Sequence, residues 1–480
     1  MKDIVLTTIN AKWIHPSLAL RLLKANLGFL EEDCEIIEFA LRQPLAEKLE
    51  PFADACIKNA PPKIIGISVS IWNHLAAIEL LKELEKIFTA SAGAKPVIVL
   101  GGTEVSHLPP DAEILQLADH VIRGDGEIAF RELCEKILGK DITHRIAGSQ
   151  HGGILSAYHL YTDEDVKKKL IYVESSRGCP FKCDFCLSAL ENTIYEFPLE
   201  QFLDEMEILI NRGVKTFKFL DRSFNINPER AIKIINFFLT KIEQINSSVP
   251  PSNLRFAIRE NSSQKVPFTV HFEMVPSLFP PELLQALTRF PPGTLRLEIG
   301  IQTLNPQVSA RINRPSNPEK ELEALRFLSE KTNAIIHADL IAGLPGENLA
   351  SFGSSFDRLI DSSYNSSYVE IQLGILKKLP GAPIQRHDNE FKMRYNPLPP
   401  YDIEETSVFS ANDVQRIKNF ARFWELLVNR KLVKLENGAV FDKFMQLSDK
   451  LFSHFGRNWG IDKKELIFFI KNDSGCIVHF

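Results

Sequence analysis

Apolar runs of strand length recur along this chain, and most are followed by a stretch whose apolar residues have helical spacing. Five such runs fall within the first 125 residues, and they read IVLTTI, EIIEF, KIIGISV, PVIVLGG and HVIRG. Strands that alternate with helices across short glycine-containing turns form βαβ units around a parallel sheet. Residues 1–140 are therefore predicted to form a doubly wound α/β domain with a Rossmann-like or flavodoxin-like sheet.

A second series of strand signals begins after a polar stretch at 141–169, which we interpret as a linker. The six candidates read LIYVESS, TFKFLD, FTVHFEM, LRLEIGIQ, AIIHADLIAG and YVEIQLG. Six βα-like units predict a partial (β/α)6 barrel of the TIM type over residues 170–395, with its chemistry at the carboxyl ends of the strands. Strand signals fade after that, and residues 396–480 are predicted to form a helical C-terminal extension.

Charge and composition narrow the classes of partner. The net charge is −5, with 56 basic residues spread among 61 acidic ones, so a nucleic-acid partner is not expected. The chain has neither a run of about 18 apolar residues nor a secretory signal at its start, so we expect a cytoplasmic location and no membrane partner. Seven cysteines in 480 residues argue against a disulfide framework and leave reduced thiols free for metal.

The strongest chemical signal is RGCPFKCDFC, directly after the first strand of the barrel series. It places Cys179, Cys183 and Cys186 with three and then two residues between them, a spacing expected by chance only about 0.0015 times in such a chain. Zinc is the alternative metal, but a closed zinc site takes four ligands, and no fourth Cys or His adjoins these three. Three thiolates on a [4Fe–4S] cluster would leave one iron open, so the spacing favours a cluster with a ligand-binding iron.

At these residues the sequence closely resembles the radical S-adenosylmethionine (SAM) superfamily, whose hallmark is a Cys-x3-Cys-x-aromatic-Cys loop after the first barrel strand. Phe185 fills the aromatic position. The resemblance implies that the three cysteines hold a [4Fe–4S] cluster whose open iron chelates SAM. It further implies reductive cleavage of SAM to methionine and a 5′-deoxyadenosyl radical, with an electron from a low-potential donor such as flavodoxin or ferredoxin.

Polar residues at the ends of later strands extend the resemblance, in FLDRSFNIN, HFEMVP, LEIGIQTLN and ADLIAGLPGE. By position it implies that the amino-acid and ribose parts of SAM are bound by Asp221, Glu273, Glu298 and Gln302, and that the adenine lies near Ile341, Gly343 and Gly346. Each carboxylate has an alternative role in a salt bridge within the barrel. The SAM carboxylate has candidate partners in Arg222, Arg311 and Arg314, which could instead pair with these acids, and Pro345 with Gly346 could simply form a turn.

Glycine-rich loops end two strands of the first domain, with Gly101 and Gly102 in one and Gly124 and Gly126 in the other. The second loop has the order of a dinucleotide fingerprint, but it follows the last strand of the sheet, so NAD or FAD is not expected. A flavodoxin-like sheet with such loops ahead of the barrel resembles the cobalamin-binding radical SAM proteins. Cobalamin is the cofactor that this resemblance implies, with the four glycines near it.

One feature of other cobalamin proteins is missing, because Asp119 and His120 adjoin and no Asp-x-His-x-x-Gly motif supplies an axial histidine. His15, His74 and His107 lie near predicted strand ends and are candidates to touch the corrin, as is Trp72. For each histidine the alternative is an ordinary polar loop residue, and for the tryptophan it is the core.

Three functions follow from these observations. The first is a cobalamin-dependent radical SAM enzyme, with methyl transfer to an unreactive carbon of a small molecule or peptide as its most typical reaction. The second is a radical SAM methylthiotransferase, whose second cluster would need Cys34, Cys56 and Cys134, although Cys134 falls in a predicted helix as a buried thiol. The third is a non-enzymatic sensor of cobalamin or of a cluster. Trp424 and Trp459 are predicted as either core or substrate contacts, and the substrate itself is not legible.

Overall fold

The computed structural model describes residues 1–91, 95–140, 153–190, 194–247, 266–363, 369–435, 440–472 and 478–479. The chain divides into two compact units. The first comprises Met1–Val173 with Asp204–Lys218, and the second comprises Glu174–Leu203 with Phe219–Phe480.

The first unit contains a five-stranded sheet in the order β2-β1-β3-β4-β5, and every neighbouring pair is parallel. All five predicted strands are confirmed, as β1 Ile4–Asn10, β2 Cys34–Ala40, β3 Ile64–Ser68, β4 Val97–Gly101 and β5 His120–Val121. The helices are α1 Leu18–Ala25, α2 Leu45–Ile57, α3 His74–Ala90, α4 Glu113–Gln116, α5 Glu127–Ile137 and α6 Asp163–Lys168. This strand order is that of flavodoxin-like sheets, in which the chain reverses direction across the sheet between β1 and β3.

Apolar cores cover both faces of this sheet, which explains the nearly continuous apolar runs of its strands. On one face, Val5 and Ile65 pack with Leu80 and other residues of α3. On the other, Ile4 and Leu6 pack with residues of α1 and α5. Alternate residues of one strand thus enter different cores, as the pleat requires.

The predicted linker at 141–169 falls partly outside the described residues, but its second part is structured and belongs to the first unit. Arg21, which is 4% exposed, donates to Asp165 at 2.8 Å and to Glu38 at 2.9 Å. Asn26 exchanges two hydrogen bonds with the backbone of Leu155, at 2.8 and 3.1 Å. A buried guanidinium between two carboxylates is a long-range pairing that the local polar composition of this stretch does not reveal.

A six-stranded sheet follows in the order β13-β12-β11-β10-β9-β6, which is simple chain order, as expected for a partial barrel. The six predicted strands are confirmed, as β6 Ile171–Val173, β9 Thr216–Phe219, β10 Thr269–Met274, β11 Leu295–Gln302, β12 Ile335–Ala342 and β13 Val369–Ile375. A small antiparallel pair, β7 Ser176–Arg177 and β8 Tyr195–Glu196, precedes the connecting helices. These helices are α7 Leu199–Arg212, α8 Pro228–Ser247, α9 Pro281–Leu287, α10 Pro306–Arg311, α11 Pro318–Lys331 and α12 Leu349–Ser363.

Burial alternates along β10, β11 and β12. The buried positions are apolar, among them Phe272, Ile299 and Leu340, whereas the half-buried positions between them are mostly polar or charged. Glu273 and Glu298 occupy half-buried positions and lie directly opposite each other in the β10–β11 pairing. One face of the barrel strands therefore presents a row of polar side chains.

After the last barrel strand come α13 Asp388–Phe391 and β14 Arg394–Tyr395. The C-terminal extension contains α14 Ala411–Trp424, α15 Phe441–Phe455 and α16 Lys463–Asn472, with short strands β15 Ile403–Glu405, β16 Lys434–Leu435 and β17 Val478–His479. Trp424 is 1% exposed and packs edge-on against Phe356 of α12, so it belongs to the core. Trp459 is 69% exposed. None of the helices in the described part of the chain has both the length and the apolar character of a membrane span.

Candidate functional site

The three cysteines of the motif lie on the loop that follows β7. Cys183 is buried and Cys179 and Cys186 are half-buried, and the amide of Cys186 donates to the carbonyl of Cys183 at 3.1 Å. Burial raises the pKa of the Cys183 thiol, while the Arg314 guanidinium that hydrogen-bonds to it acts in the opposite direction. A guanidinium beside a buried thiol stabilises the thiolate, which is the form that binds metal.

Asp221 holds the chain just ahead of the cysteine loop. Its carboxylate is 1% exposed, and it accepts hydrogen bonds from the Ser175 amide at 2.9 Å, the Ser175 hydroxyl at 2.6 Å and the Ser176 hydroxyl at 2.7 Å. Burial raises the pKa of Asp221, and these hydrogen bonds oppose that rise. The described contacts of Asp221 lie within the protein, so its predicted contact with SAM stays a prediction.

Arg314 connects the cysteine loop to the end of β11. Its Nη2 donates to the carbonyl of Gly300, at the point where the β11–β12 register shifts between Gly300 and Gln302. Gln302 has φ +68°, and its side-chain amide would lie 2.3 Å from a Cβ at position 300. The irregularity thus brings Gln302 and Arg314 into one neighbourhood with Cys183.

The two predicted glutamates each face a basic side chain. Glu273 lies 4.0 Å from Arg222, and Glu298 lies 3.4 Å from Nε2 of His271. Both glutamates stay partly exposed, with 23% and 32% of their side chains accessible. The salt-bridge arrangement considered for these carboxylates is therefore present, and their partial exposure leaves oxygens accessible to a ligand.

The predicted adenine segment and the aromatic residue of the cysteine motif border the same apolar cluster. Ile341 and Phe185 pack against one apolar cluster that includes Leu344 and Ile403. A Cβ at Gly343 would lie 2.6 Å from the Ile403 side chain, so this glycine is needed for packing.

Gly346 forms the turn that sequence reasoning considered for it. It has φ +75°, and a Cβ there would lie 2.4 Å from Nη1 of Arg311. Arg311 donates to the carbonyl of Pro345 at 2.7 Å and stacks over the Phe391 ring, with Cζ 4.7 Å from its centroid. Arg311 is thereby engaged with the protein, and of the three arginines predicted near SAM it is Arg314 that contacts Cys183.

At the carboxyl edge of the first sheet, Asn73 ties β1 to β3. Its Nδ2 donates to the carbonyl of Ile9 at 3.0 Å and to Thr8 Oγ1 at 3.2 Å, and it also lies 3.3 Å from the carbonyl of Ser68. Asn73 is 1% exposed. The reversal point between these two strands, where open α/β sheets bind their ligands, is therefore closely braced.

The four predicted glycines occupy different positions at this edge. Gly101 is the last residue of β4, and Gly102, with φ +105°, lies against the backbone of Val69. The Gly124 amide donates to the Ser106 hydroxyl at 3.3 Å, and Gly126 caps α5. Nothing lies within 4 Å of a Cβ built at Gly124, whereas one at Gly126 would lie 3.1 Å from Leu23. Of these two glycines, only Gly124 therefore has open space around it.

Large apolar side chains are exposed just after β1 and β3: Trp13 at 47% and Ile14 at 39% in the first segment, and Trp72 at 53% and Leu75, at the start of α3, at 51% in the second. Trp72 is therefore not a core residue. His15 and His74 each have a fixed partner, since Nδ1 lies 2.7 Å from the Tyr172 hydroxyl in one and 2.7 Å from Oε1 of Glu104 in the other.

The remaining histidine candidate, His107, is exposed. The predicted location of Cys134 is confirmed, because it is fully buried within α5, and Cys34 is buried in the same apolar core. Burial raises the pKa of each of these two thiols to about 12. Among the described residues, no three His, Cys, Asp or Glu side chains are grouped so as to hold a single metal ion.

Two models of known protein families match this chain, one in each of its two α/β regions. The model of the radical SAM superfamily matches residues 173–359, and the model of the B12-binding domain matches residues 4–134. The chain joins a B12-binding domain to a radical SAM domain. Both matches lie inside the two α/β regions predicted from the strand pattern, and the cofactors of these domains are cobalamin in the first and a [4Fe–4S] cluster with SAM in the second.

Individual relatives are distant. The chain is 22% identical to the cobalamin-dependent radical SAM methyltransferase TokK of Streptomyces tokunonensis, over 71% of this chain and 50% of that protein. It is 22% identical to the ribosomal protein uS12 methylthiotransferase RimO of Cupriavidus pinatubonensis, over 52% of this chain and 54% of that protein. The apo structure of the cobalamin-dependent SAM radical enzyme OxsB shares the fold, with a TM-score of 0.61, 15% identity and coverage of 97% of this chain and 74% of that one. The chain thus spans about half the length of the curated relatives it matches.

The residues present fit these cofactors. In the radical SAM domain, the donor set is three thiols on one loop beside a guanidinium, which suits a cluster with one open iron. In the B12-binding domain, large exposed apolar side chains stand in the loops at the carboxyl edge of the sheet, where they suit a large planar ligand. Sequence reasoning gave no role to Asp184, Arg386 or His387, which also contact the cysteine loop region, because their pairing spans about two hundred residues.

Proposed function

We propose that this chain is a cobalamin-dependent radical SAM methyltransferase that acts on an unreactive carbon of a small molecule or a peptide. The observation that carries the proposal is the three-thiol loop with its Arg314 partner, in one chain with a B12-binding domain. When bound, the cluster and SAM supply a radical that removes hydrogen from the substrate, and cobalamin supplies the methyl group. The chain's own residues bind and orient these groups.

Several side chains have distinct tasks in this proposal. The three cysteines hold the cluster, and Arg314 offsets the negative charge of the Cys183 thiolate. Glu273, Glu298 and Gln302 are candidates to bind the polar groups of SAM, because Glu273 and Gln302 lie at the carboxyl ends of β10 and β11 and Glu298 lies opposite Glu273. Asp221 positions the loop through Ser175 and Ser176.

The first experiment tests the radical SAM part. Anaerobic reconstitution with iron and sulfide should give about four irons per chain, and the reduced protein should convert SAM to methionine and 5′-deoxyadenosine. Cys183→Ala should abolish the conversion, with Cys56→Ala as the matched control. Retention of SAM cleavage by Cys183→Ala would overturn the cluster assignment.

The second experiment tests the cobalamin part. The protein mixed with excess hydroxocobalamin should keep a cobalamin absorption spectrum through gel filtration. A protein that cleaves SAM but elutes without cobalamin would keep the radical SAM assignment and reject cobalamin dependence.

The methylthiotransferase alternative has support from the similarity to RimO but little from the thiols. A second cluster in the first unit would need accessible thiolates, whereas Cys34 and Cys134 are buried with their pKa raised to about 12. About eight irons per chain after reconstitution would favour that alternative.

A further inference from the structure

Asp184 stands inside the cysteine loop, next to Cys183, and it is only 1% exposed. Its Oδ2 accepts from Nε2 of His387 at 2.8 Å and pairs with Nη2 of Arg386 at 2.6 Å. Its Oδ1 accepts from Nδ2 of Asn313 at 3.2 Å. Every oxygen of this buried carboxylate therefore has a donor from outside the loop.

The loop backbone is anchored at the same residue. The Asp184 amide donates to the carbonyl of Ile312 at 3.0 Å, directly after α10. Arg386 also reaches this region, since its Nη2 lies 3.2 Å from the carbonyl of Arg311. One acidic residue thus fastens the cysteine loop to two separate parts of the second unit.

Apolar packing supports the same connection. Phe185, the next residue of the loop, packs against a cluster that includes Ile384, Met393 and Ile403. These three residues come after the last barrel strand, as do Arg386 and His387. The segment from 382 to 403 therefore backs the cysteine loop with both charged and apolar contacts.

A buried carboxylate is stable only when its charge is compensated, and removing its partner costs more than the pair contributes. Asp184 also lies beside a residue that would carry a thiolate in the holoprotein. Without compensation, this negative charge would lower the reduction potential of the cluster, because it repels the electron that the cluster must accept. Arg386 supplies the compensating positive charge, and His387 supplies a hydrogen bond.

We propose that Arg386 and His387 are positioning residues for the [4Fe–4S] cluster: both fix the cysteine loop through Asp184, and Arg386 neutralises the negative charge beside it. The proposal rests on the cluster part of the proposed function and is independent of cobalamin and of methyl transfer. It gives the segment after the barrel a task at the cluster that no sequence motif announces.

The test compares reconstituted variants by iron content and by a redox titration followed through the EPR signal of the reduced cluster. Arg386→Gln should lower the ratio of reduced to oxidised cluster at a fixed potential by at least threefold, because Asp184 loses a counter-charge. Asp184→Asn should raise that ratio, and the double variant should return toward wild type. Arg394→Gln is the matched control, because Arg394 also follows the last barrel strand but pairs at the surface with Glu405.

His387 is tested by rescue. His387→Gln keeps a side-chain donor for Asp184 and should retain iron, whereas His387→Ala should lose iron, lower the potential of the cluster that remains and unfold at a lower temperature than wild type. A change confined to folding would move the unfolding temperature and leave the potential of the remaining cluster unchanged, which would count against the proposal.

The proposal is overturned if Arg386→Gln and His387→Ala match Arg394→Gln and wild type in iron content, EPR spectrum and reduced fraction. If Asp184→Asn does not fold, these two variants decide, because they leave the carboxylate in place. A wild-type protein without about four irons would overturn the cluster assignment itself, and the present proposal with it.

Discussion

The carboxylate of Asp221 binds both the backbone amide and the hydroxyl of Ser175, at 2.9 and 2.6 Å, and so fixes the chain just ahead of the cysteine loop. Asp221→Asn places an amide group where two donors converge. We expect a loss of about 2 kcal/mol of unfolding free energy, together with a lower iron content. The reason is that the buried amide nitrogen of the new Asn would be a donor that faces other donors and could accept no hydrogen bond from them. Urea denaturation and iron analysis measure the two effects.

The control for Asp221 is Ser176→Ala, which removes a single hydrogen bond and should cost only about 1 kcal/mol. If Asp221 instead binds SAM, as the family resemblance implies, a different result is expected. If Asp221→Asn keeps the stability and iron content of wild type but binds SAM more weakly, Asp221 is a direct SAM ligand and its positioning role is wrong.

Glu347 makes stability depend on pH. It is 1% exposed, and burial raises its pKa to about 7, while hydrogen bonds from Thr303 and Ser351 oppose the rise. A carboxyl with a raised folded-state pKa contributes its full stability at low pH and loses it as the pH rises through about 7. Glu347→Gln removes this loss, so the variant should gain on wild type between pH 5 and pH 8, by up to about 3 kcal/mol.

Urea denaturation at several pH values tests the Glu347 prediction, with Glu323→Gln on the exposed side of α11 as the control. A stability difference between Glu347→Gln and wild type that stays constant with pH would show that this carboxyl is ionised in the folded protein.

Gly346 is expected to tolerate no larger residue. Its φ of +75° is unfavourable for any residue with a Cβ, and the added atom would also lie 2.8 Å from the Phe391 ring. Gly346→Ala should therefore cost more than Gly456→Ala, where φ is +63° but no atom lies within 4 Å of the added Cβ. We expect about 1 kcal/mol for the control and at least twice that for Gly346→Ala, measured by thermal unfolding. Equal losses would show that Arg311 and Phe391 move aside freely.

The buried thiols of the first unit are expected to play no part in metal binding. A variant with Cys34→Ala and Cys134→Ala should keep about four irons after reconstitution and should lose only about 1–2 kcal/mol of stability per site from the small cavities. Iron and sulfide analysis checks the first expectation. A fall in iron relative to the wild-type protein would instead indicate a second cluster in this unit.

Trp72 is expected to contribute to cobalamin binding without supporting the fold. Because its side chain is 53% exposed, Trp72→Ala should change the unfolding free energy by less than about 0.5 kcal/mol. It should weaken cobalamin binding about tenfold, through the loss of aromatic contact. Equilibrium dialysis measures the affinity, and Trp459→Ala, at a side chain 69% exposed, serves as the control. An unchanged affinity would remove Trp72 from the binding surface.

The strands and the cysteine loop could be predicted from sequence because both are encoded locally. An apolar run such as IVLTTI specifies a buried strand by itself, and three cysteines within eight residues specify a metal site by their spacing. Pairing between distant charges has no such local signal. The partners of Arg21 and Asp184 lie 144 and 203 residues away in sequence, so neither the structured end of the predicted linker nor the anchor of the cysteine loop was visible in the pattern.

The sequence predicts Gly102 in a cofactor loop, yet an added Cβ there would lie 2.4 Å from the carbonyl oxygen of Val69. The crowding comes from the backbone of the neighbouring loop and exists whether or not a ligand is present. Natural selection would therefore keep this glycine even in a descendant that had abandoned vitamin B12. Gly124, which has open space around it, is the position where loss of the vitamin would leave a trace as drift to other residues.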